Sequence, residues 1–208
     1  MMIDTTEIPG INVDPLRFCL LNKLINQKGL WLEFGTWKGQ TIDLISQHTE
    51  NNVYGFDTFT GLDVKWSGTQ SGSMKYFDIG GVPPTSVIPI NPYVRYGPPI
   101  EKRRAFRENV KFICGLFDET LPQFMKTHKK NISFLHVDCD LYQSTKSIFR
   151  CCGDSLAKDC IIVFDELINY AGYEEHELRA FSEFVLENPA FEFEWIGMKD
   201  CSVACRVL

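Results

Sequence analysis

The sequence predicts an α/β domain, and three observations support this. Short apolar strands alternate with helical segments along most of the chain. The first strand is followed by a glycine-containing turn and then by a helix. Two later strands are almost wholly apolar and each ends in acidic residues, which is typical of strands at the centre of a sheet. Because buried acids are costly unless compensated, these strand ends are also the first candidates for function.

Composition limits the class of protein. A length of 208 residues, of which 44% are hydrophobic, suits a single domain over 1–208 with a substantial core. The net charge of −6 argues against a general attraction to nucleic acid or to an anionic membrane surface. No signal region or membrane-length apolar run is visible. We therefore expect a cytoplasmic protein with a small-molecule or sugar partner and no nucleic-acid or membrane partner. A homo-oligomer is possible, since composition leaves the oligomeric state open.

The cysteines and histidines indicate no classical zinc site. Six of the eight cysteines lie in or beside apolar segments without Cys-x-x-Cys spacing, which predicts buried thiols in a reducing compartment. Cys151 and Cys152 are adjacent on a predicted helix, where neighbouring side chains diverge. The four histidines are scattered along the chain.

The N-terminal third predicts a helix, a strand, a glycine turn and a second helix. Apolar residues recur at helical spacing over 14–28, with Asp14 as the N-cap and Pro15 in the first turn. A strand over 30–34 is followed by a turn containing Gly35 and Gly39 and by a helix through residue 48. Glycines allow a close backbone approach to a ligand, and a helix start presents free N–H groups. The spacing differs from the Gly-x-Gly-x-x-Gly of dinucleotide enzymes, and alone it is equally typical of an ordinary turn.

The second strand, 52–57, ends in an acid at the offset expected of a ribose-binding residue. Asp57 follows the glycine turn by about 20 residues, as in nucleotide-binding βαβ units. With Glu33, at the end of the first strand, it borders one predicted crevice. Alternatively, Asp57 caps the turn through Thr58 and Thr60. We favour ribose binding because the glycine turn and the acid occur together.

Residues 58–109 interrupt the α/β alternation. Six of the ten prolines lie between Pro83 and Pro99, and the segment carries seven basic and four acidic residues. A long irregular segment with a positive charge beside an acidic body is compatible with a lid over a ligand and equally with a plain insertion.

The strand over 133–138 carries the clearest candidate site. In an extended chain Asp138 and Asp140 point to one side and Cys139 to the other, and two like charges on one side suggest a metal ion. The alternative is a helix cap, with Asp140 or Ser144 starting a helix over 144–156.

The remaining elements continue the alternation. We predict a strand over 110–115, a helix over 119–129 with Pro122 near its start, and a strand over 159–164 that ends in Asp165 and Glu166. A helix over 173–187 and a hairpin of 191–196 and 201–207, with its turn at 197–200, complete the chain.

Five segments, in order, resemble the macrocin O-methyltransferase family, whose members use S-adenosylmethionine to methylate sugar hydroxyls of natural products. They are EFGTWKGQT (33–41), YGFDTFTGL (54–62), GLFDETLP (115–122), HVDCDLYQST (136–145) and FDE (164–166). The pattern Glu-x-Gly-x-x-x-Gly is also similar to that of catechol-type O-methyltransferases. The resemblance implies a Rossmann-like class I methyltransferase sheet of order 3-2-1-4-5-7-6, with the last strand antiparallel and helices on both faces.

The resemblance also implies the site. The cofactor S-adenosylmethionine would be bound by the glycine turn, by the ribose-binding acid and by residues beside them: Glu33, Gly35, Thr36, Trp37, Gly39, Thr41, Asp57, Thr58, Phe117 and Asp138. A divalent cation, Mg²⁺ above all, would be held by Asp140, Asp165 and Glu166. Glu166 stands where the family often has a second Asp, but it remains a hard oxygen ligand.

The resemblance implies Asp138 as the catalytic base, which would remove the proton of a hydroxyl whose pKa the cation lowers. His136 is a second catalytic candidate, because it precedes Asp138 by two residues and would share its face. For His136 we favour the alternative of a core histidine satisfied by backbone. A glycosyltransferase using Asp-x-Asp with a metal, and an inactive methyltransferase-like binding subunit, are the alternative functions.

Overall fold

A computed structural model describes residues 2–61 and 106–208 of the chain. Within these residues seven strands form one sheet of order β3-β2-β1-β4-β5-β7-β6, which confirms the predicted order. The strands are β1 Leu30–Phe34, β2 Val53–Asp57, β3 Val110–Cys114, β4 Ile132–Val137, β5 Leu156–Phe164, β6 Phe193–Lys199 and β7 Ser202–Val207. The helices are α1 Pro15–Leu21, α2 Gln40–Ser46, α3 Phe117–Thr127, α4 Tyr142–Cys152 and α5 Glu177–Glu187. Most of the predicted lid, 62–105, lies outside the described residues.

The first five strands run parallel, so their carboxyl ends meet at one edge of the sheet. β7 pairs antiparallel with both β5 and β6, as predicted for the last strand. Helices cover both faces. On one face α3, α4 and α5 pack against the sheet through Leu121, Ile148 and Phe181, and on the other α1 and α2 pack through Leu16 and Ile42. No helix in the described ranges has the length and apolar character needed to cross a membrane.

Strand register decides which side chains meet at the carboxyl edge. Glu33 on β1 is directly opposite His136 on β4, and the Asp165 amide continues the β4–β5 ladder by donating to the Val137 carbonyl. Side chains alternate between faces along a strand. Glu33, His136 and Asp165 therefore lie on the same face of the sheet as the core residues two positions before them, which are Trp31, Phe134 and Val163. This is the face that α1 and α2 cover.

Helix ends confirm one predicted cap and correct another. Asp14 caps α1, since its Oδ1 accepts the Arg17 N–H at 3.0 Å and Pro15 is the first helical residue, but the helix ends at Leu21, well before residue 28. α4 begins at Tyr142 after an N-cap residue, Leu141, that makes no side-chain cap bond. The interpretation of Asp140 or Ser144 as the cap of this helix is therefore wrong.

Several other element boundaries differ from those predicted from the sequence. The predicted hairpin turn at 197–200 is wrong, since Gly197 and Met198 lie inside β6 and the turn follows at Asp200. A Cβ on Gly197 would lie 2.7 Å from Cγ2 of Ile11, so the glycine marks a close approach of the N-terminal segment. Pro122 lies inside α3, which begins at Phe117. The helix predicted over 173–187 divides into a single 3₁₀ turn, Tyr173–Glu175, and α5.

Hydrogen bonds to β2 and to the residue after β4 hold the glycine turn that follows β1. Gly35 donates its N–H to the Phe56 carbonyl of β2, and the Asp138 N–H bonds to the Phe34 carbonyl, both at 2.9 Å. Gly35 has a φ of 87°, and a Cβ there would lie 1.7 Å from the Asp138 carbonyl oxygen. Only glycine fits this position.

We expect Gly35→Ala to lower the free energy of unfolding by at least about 2 kcal/mol more than Gly172→Ala, because overpacking adds to the cost of the left-handed conformation. Gly172 is a matched control, since it has a φ of 83° and nothing within 4 Å of an added Cβ. Urea denaturation of the two variants measures the difference. Equal losses of unfolding free energy in the two variants would show that the close approach at Gly35 does not affect stability.

A buried carboxylate at the start of α5 supports the segment after β4. Glu177 is fully buried, and its Oε1 accepts the Cys139 N–H at 3.4 Å. Burial raises the pKa of Glu177 well above its ordinary 4.5, and repulsion from Glu166 and Asp140 adds to the effect. The folded protein therefore binds this proton more tightly than the unfolded chain does, so the associated stability is complete below about pH 4.5 and is lost as the pH rises toward the raised pKa.

Glu177→Gln keeps an acceptor oxygen and removes the ionisation. We expect the fall in melting temperature between pH 5 and pH 8 to be smaller in this variant than in the wild type. Glu187→Gln, an exposed position on the same helix, serves as the control and should keep the wild-type fall. An identical pH dependence in Glu177→Gln and the wild type would contradict the assignment.

Candidate functional site

A pocket of about 800 Å³ opens at the carboxyl edge of β1, β2, β4 and β5. It lies where β1 is flanked by β2 on one side and β4 on the other, the position at which open parallel sheets bind ligands. Its volume suits a small molecule. Eleven of the residues predicted for the site line it: Gly35, Thr36, Trp37, Thr41, Asp57, Thr58, Phe117, Asp138, Asp140, Asp165 and Glu166.

Three predicted residues do not line this pocket. Gly39 is the left-handed N-cap residue of α2, and a Cβ there would lie 2.6 Å from the Phe106 ring that covers it. Glu33 and His136 are both fully buried beneath the pocket floor, on β1 and β4. Whatever Glu33 and His136 contribute must therefore act from inside the protein.

Asp57 joins the second strand to the glycine turn. Its Oδ2 accepts the Thr36 and Trp37 N–H groups at 2.9 and 2.8 Å, and its Oδ1 accepts the Phe59 N–H at 2.6 Å. Burial nevertheless raises its pKa. The turn-capping interpretation is thus correct as far as these bonds go, while the carboxylate also faces the pocket, where further lone pairs are available to a ligand.

The acidic ends of β4 and β5 meet in the same pocket. Asp140 has a φ of 63°, so the extended conformation assumed in the prediction does not continue through this residue. Asp138 and Asp140 nevertheless both line the pocket, as predicted. Cys139 lines the pocket as well, and its Sγ lies 3.4 Å from the Thr145 hydroxyl.

The carboxylates of this pocket repel one another. Burial, with the charge of Asp165 adding to it, raises the pKa of Asp140 to about 7 and that of Glu166 to about 9. The same two causes raise the pKa of Asp138 well above its ordinary value. Such crowding favours protons or a cation, and the buried Oε2 of Glu166 has no hydrogen-bond partner among the described residues.

A histidine and two acids lie close enough together to share a metal ion. Ligand atoms of His136, Asp138 and Asp165 all lie within 4.8 Å of one another. Within residues 2–61 and 106–208 this is the one group of three such side chains close enough to hold a metal ion. It differs from the predicted set of Asp140, Asp165 and Glu166. His136 is not satisfied by backbone, as the core-histidine interpretation required, because its Nδ1 lies 3.1 Å from Oε1 of Glu33. Burial is the largest single effect and lowers the pKa of His136, but the hydrogen bond to Glu33 and the charges of Glu33 and Asp165 together raise it overall.

Several pocket residues have no counterpart in the sequence-based prediction. They are the first residues of α4 and the segment before α5, together with single residues on the turns: Tyr142, Gln143, Ser144, Ser147, Glu175, His176 and Leu116. The α4 residues were accessible to prediction, since a helix that directly follows a parallel strand begins at its carboxyl edge. No sequence signal placed the segment before α5 at the pocket, because its position there depends on tertiary packing.

Tyr142 is held rigidly at the pocket wall. Its hydroxyl donates to Oε2 of Glu183 at 2.6 Å, and the Lys146 ammonium donates to both of these oxygens at 2.8 and 2.9 Å. The Arg179 guanidinium lies 4.7 Å from the centre of the tyrosine ring. Contacts to Glu183, Lys146 and Arg179 thus orient the hydroxyl and one face of this ring at the pocket wall.

Known proteins resemble the chain in sequence and in fold. A family model described as a methyltransferase domain matches residues 32–167. Among solved structures, the calicheamicin methyltransferase CalS11 is similar with a TM-score of 0.62 and 19% identity, over 91% of this chain and 76% of that one. The O-methyltransferase NovP is similar with a TM-score of 0.59 and 18% identity, over 92% and 77% of the two chains.

A third similar structure is an O-methyltransferase from Bacillus cereus in complex with SAH, with a TM-score of 0.57 and 16% identity over 97% of this chain and 84% of that one. At such identities these likenesses show the fold. No curated protein sequence matches the chain. The family model covers well over half of the chain and spans the glycine turn and both acidic strand ends, so the protein belongs to the methyltransferase domain family.

Proposed function

We propose that the protein is a macrocin-type O-methyltransferase that uses S-adenosylmethionine and a divalent cation to methylate a hydroxyl of a sugar or a glycosylated small molecule. The observation that carries the proposal is that the glycine turn, Asp57 and the carboxylate cluster all open into one pocket. A cofactor cradle and a cation site would then lie side by side. Membership of the methyltransferase domain family argues against the glycosyltransferase alternative.

The residues of the turn suit the cofactor. The close approach at Gly35 leaves no room for a side chain between the turn and Asp138, and Trp37 and Thr36 are already oriented by Asp57. We assign the methionine end of the cofactor to this turn and the ribose hydroxyls to Asp57, with Thr41, Thr58 and Phe117 on the adjoining walls. Glu33 and Gly39 would support the turn from behind.

The acidic cluster suits a hard cation such as Mg²⁺. Oxygen ligands at Asp140, Asp165 and Glu166 are available on one side of the pocket, and a positive charge there would lower the raised pKa values of the neighbouring carboxyls. When bound, the cation would lower the pKa of an acceptor hydroxyl and fix its orientation.

The chain's own residues then have three tasks. The sulfonium methyl is already electrophilic, so the pocket must place the acceptor oxygen in line with it, exclude water and accept the hydroxyl proton. We assign the proton to Asp138, which lies between the glycine turn and the other acids. Its raised pKa favours the protonated form, which cannot accept a further proton, until a cation offsets the surrounding charge.

Two aromatic rings support a sugar as the acceptor. Trp37 and Tyr142 line the pocket, and their amphipathic faces suit a ring that is apolar on its faces and polar at its rim. One similar structure, 19% identical, is named as a TDP-rhamnose 3'-O-methyltransferase. This name supports the acceptor class by analogy of fold.

We expect S-adenosylhomocysteine to bind with a heat signal in calorimetry, and Asp57→Asn to weaken its binding by about 10-fold or more, because a charge-assisted hydrogen bond to ribose would be lost. Asp154→Asn changes an exposed carboxylate outside the pocket and should bind as the wild type does. Circular dichroism checks that Asp57→Asn keeps its fold. Binding of UDP in place of S-adenosylhomocysteine would overturn the proposal.

We expect methyl transfer to a glycoside acceptor to stop in EDTA, to return with Mg²⁺, and to fall by about 100-fold or more in Asp140→Asn, since cation-assisted proton removal contributes on that scale. Asn tolerates the φ of 63° at this position. Asp159→Asn is the matched control, because Asp159 has the same φ and is exposed far from the pocket. Transfer that is insensitive to EDTA would refute the metal-assisted step.

A further inference from the structure

We propose that His136 is a nitrogen ligand of the metal, held in place by Glu33, so that Asp138, Asp165 and His136 form a mixed nitrogen and oxygen site that favours Mn²⁺ or Co²⁺ over Mg²⁺. The inference rests on the metal-assisted transfer proposed above and specifies its cation. It moves the centre of the cation site from the outer acids of the pocket to its floor.

Strand register builds this site. Glu33 and His136 are opposite each other on β1 and β4. Asp138 follows the last residue of β4, two positions after His136, and its N–H continues the ladder by donating to the Phe34 carbonyl. The Asp165 amide bonds to the Val137 carbonyl, which brings the Asp165 carboxylate alongside Asp138. The resulting ligand atoms of His136, Asp138 and Asp165 lie within 4.8 Å of one another. Main-chain hydrogen bonds of three central strands thus determine the spacing.

The two ring nitrogens of His136 have different surroundings. Nδ1 lies 3.1 Å from Oε1 of Glu33, while Nε2 is buried without a hydrogen-bond partner among the described residues. A buried polar atom without a partner is costly. With Nδ1–H donating to Glu33, the lone pair is on Nε2, and a carboxylate behind a histidine in this way is the usual support of a metal-bound imidazole.

A protonated His136 is the competing explanation. An imidazolium would offset the charges of Asp138 and Asp165 without any metal. Its Nε2–H would then need an acceptor, and none lies within hydrogen-bond distance in the described part of the chain. A cation accommodates the same atoms better, because it accepts a lone pair from Nε2 and from each carboxylate.

The ligand chemistry determines the choice of metal. Mg²⁺ prefers oxygen ligands and retains water, whereas imidazole suits first-row transition metals, whose affinities exceed those of the alkaline earths at nitrogen sites. Asp140 and Glu166 line the adjacent pocket wall, and one of them can complete an oxygen shell. In this arrangement Asp138 is a ligand and not the base assigned above, so the acceptor's proton passes to whichever of Asp140 and Glu166 stays outside the shell.

The test is Mn²⁺ binding to the metal-stripped full chain, followed by electron paramagnetic resonance. We expect Mn²⁺ to bind at least about 10-fold more tightly than Mg²⁺ in competition, and the spin-echo spectrum to show coupling to an imidazole ¹⁴N. His136→Gln should abolish that coupling and weaken Mn²⁺ binding by about 10-fold or more, and Glu33→Gln should weaken it by about 10-fold. His176→Gln, a histidine that lines the pocket outside the cluster, should change neither.

The outcomes separate this inference from the proposed function. Bound Mn²⁺ without ¹⁴N coupling, or an unchanged affinity in a folded His136→Gln, would overturn the nitrogen ligand and leave the EDTA test of methyl transfer standing. S-adenosylhomocysteine binding reports whether the variants are folded. If His136→Gln fails to fold, the ¹⁴N coupling in the wild type decides by itself.

Discussion

The repulsion among acidic groups at the carboxyl edge of the sheet is the constraint on which this molecule depends. Parallel strands bring the ends of β1, β4 and β5 together, and each end carries carboxylates that burial makes harder to ionise. A sheet edge designed only for stability would have apolar residues there. The energetic cost is tolerable if a cation and a charged cofactor share the pocket, so the least favourable part of the fold is also its functional part.

Much of the fold was accessible from the sequence because the signals are local. The apolar strands, the glycine turn and the Asp14 cap depend on a few neighbouring residues, and the strand order followed from motifs that resemble a known family. Errors arose where distant segments meet. β6 continues through a predicted turn at the point where Ile11 closely approaches Gly197, and α4 begins without a side-chain cap.

The candidate site shows the same division. Spacing along the chain predicted that Asp57 borders a crevice beside the glycine turn, and the family resemblance implied that Asp138 and the acids after β5 lie there too. All of them line one pocket. Spacing along the chain could not predict that Glu33 faces His136, because this contact depends on the register between two strands and the two residues are 103 positions apart. Nor could it show that Asp57 bonds to the turn's amide groups and faces the pocket at once. Alternatives that looked exclusive in the sequence are compatible in three dimensions.

The N-terminal segment has a further consequence, for association between molecules. Met198 donates its N–H to the Pro9 carbonyl and accepts from Ile11, so residues 9–11 cover part of the outer edge of β6. The Trp195 indole N–H also donates to the Asp4 carbonyl, and the Ile3 N–H to the Ser182 hydroxyl. An uncovered edge strand is a template for strands of other chains. Removing the first eleven residues would therefore expose the outer edge of β6, a surface prone to intermolecular β-pairing and aggregation.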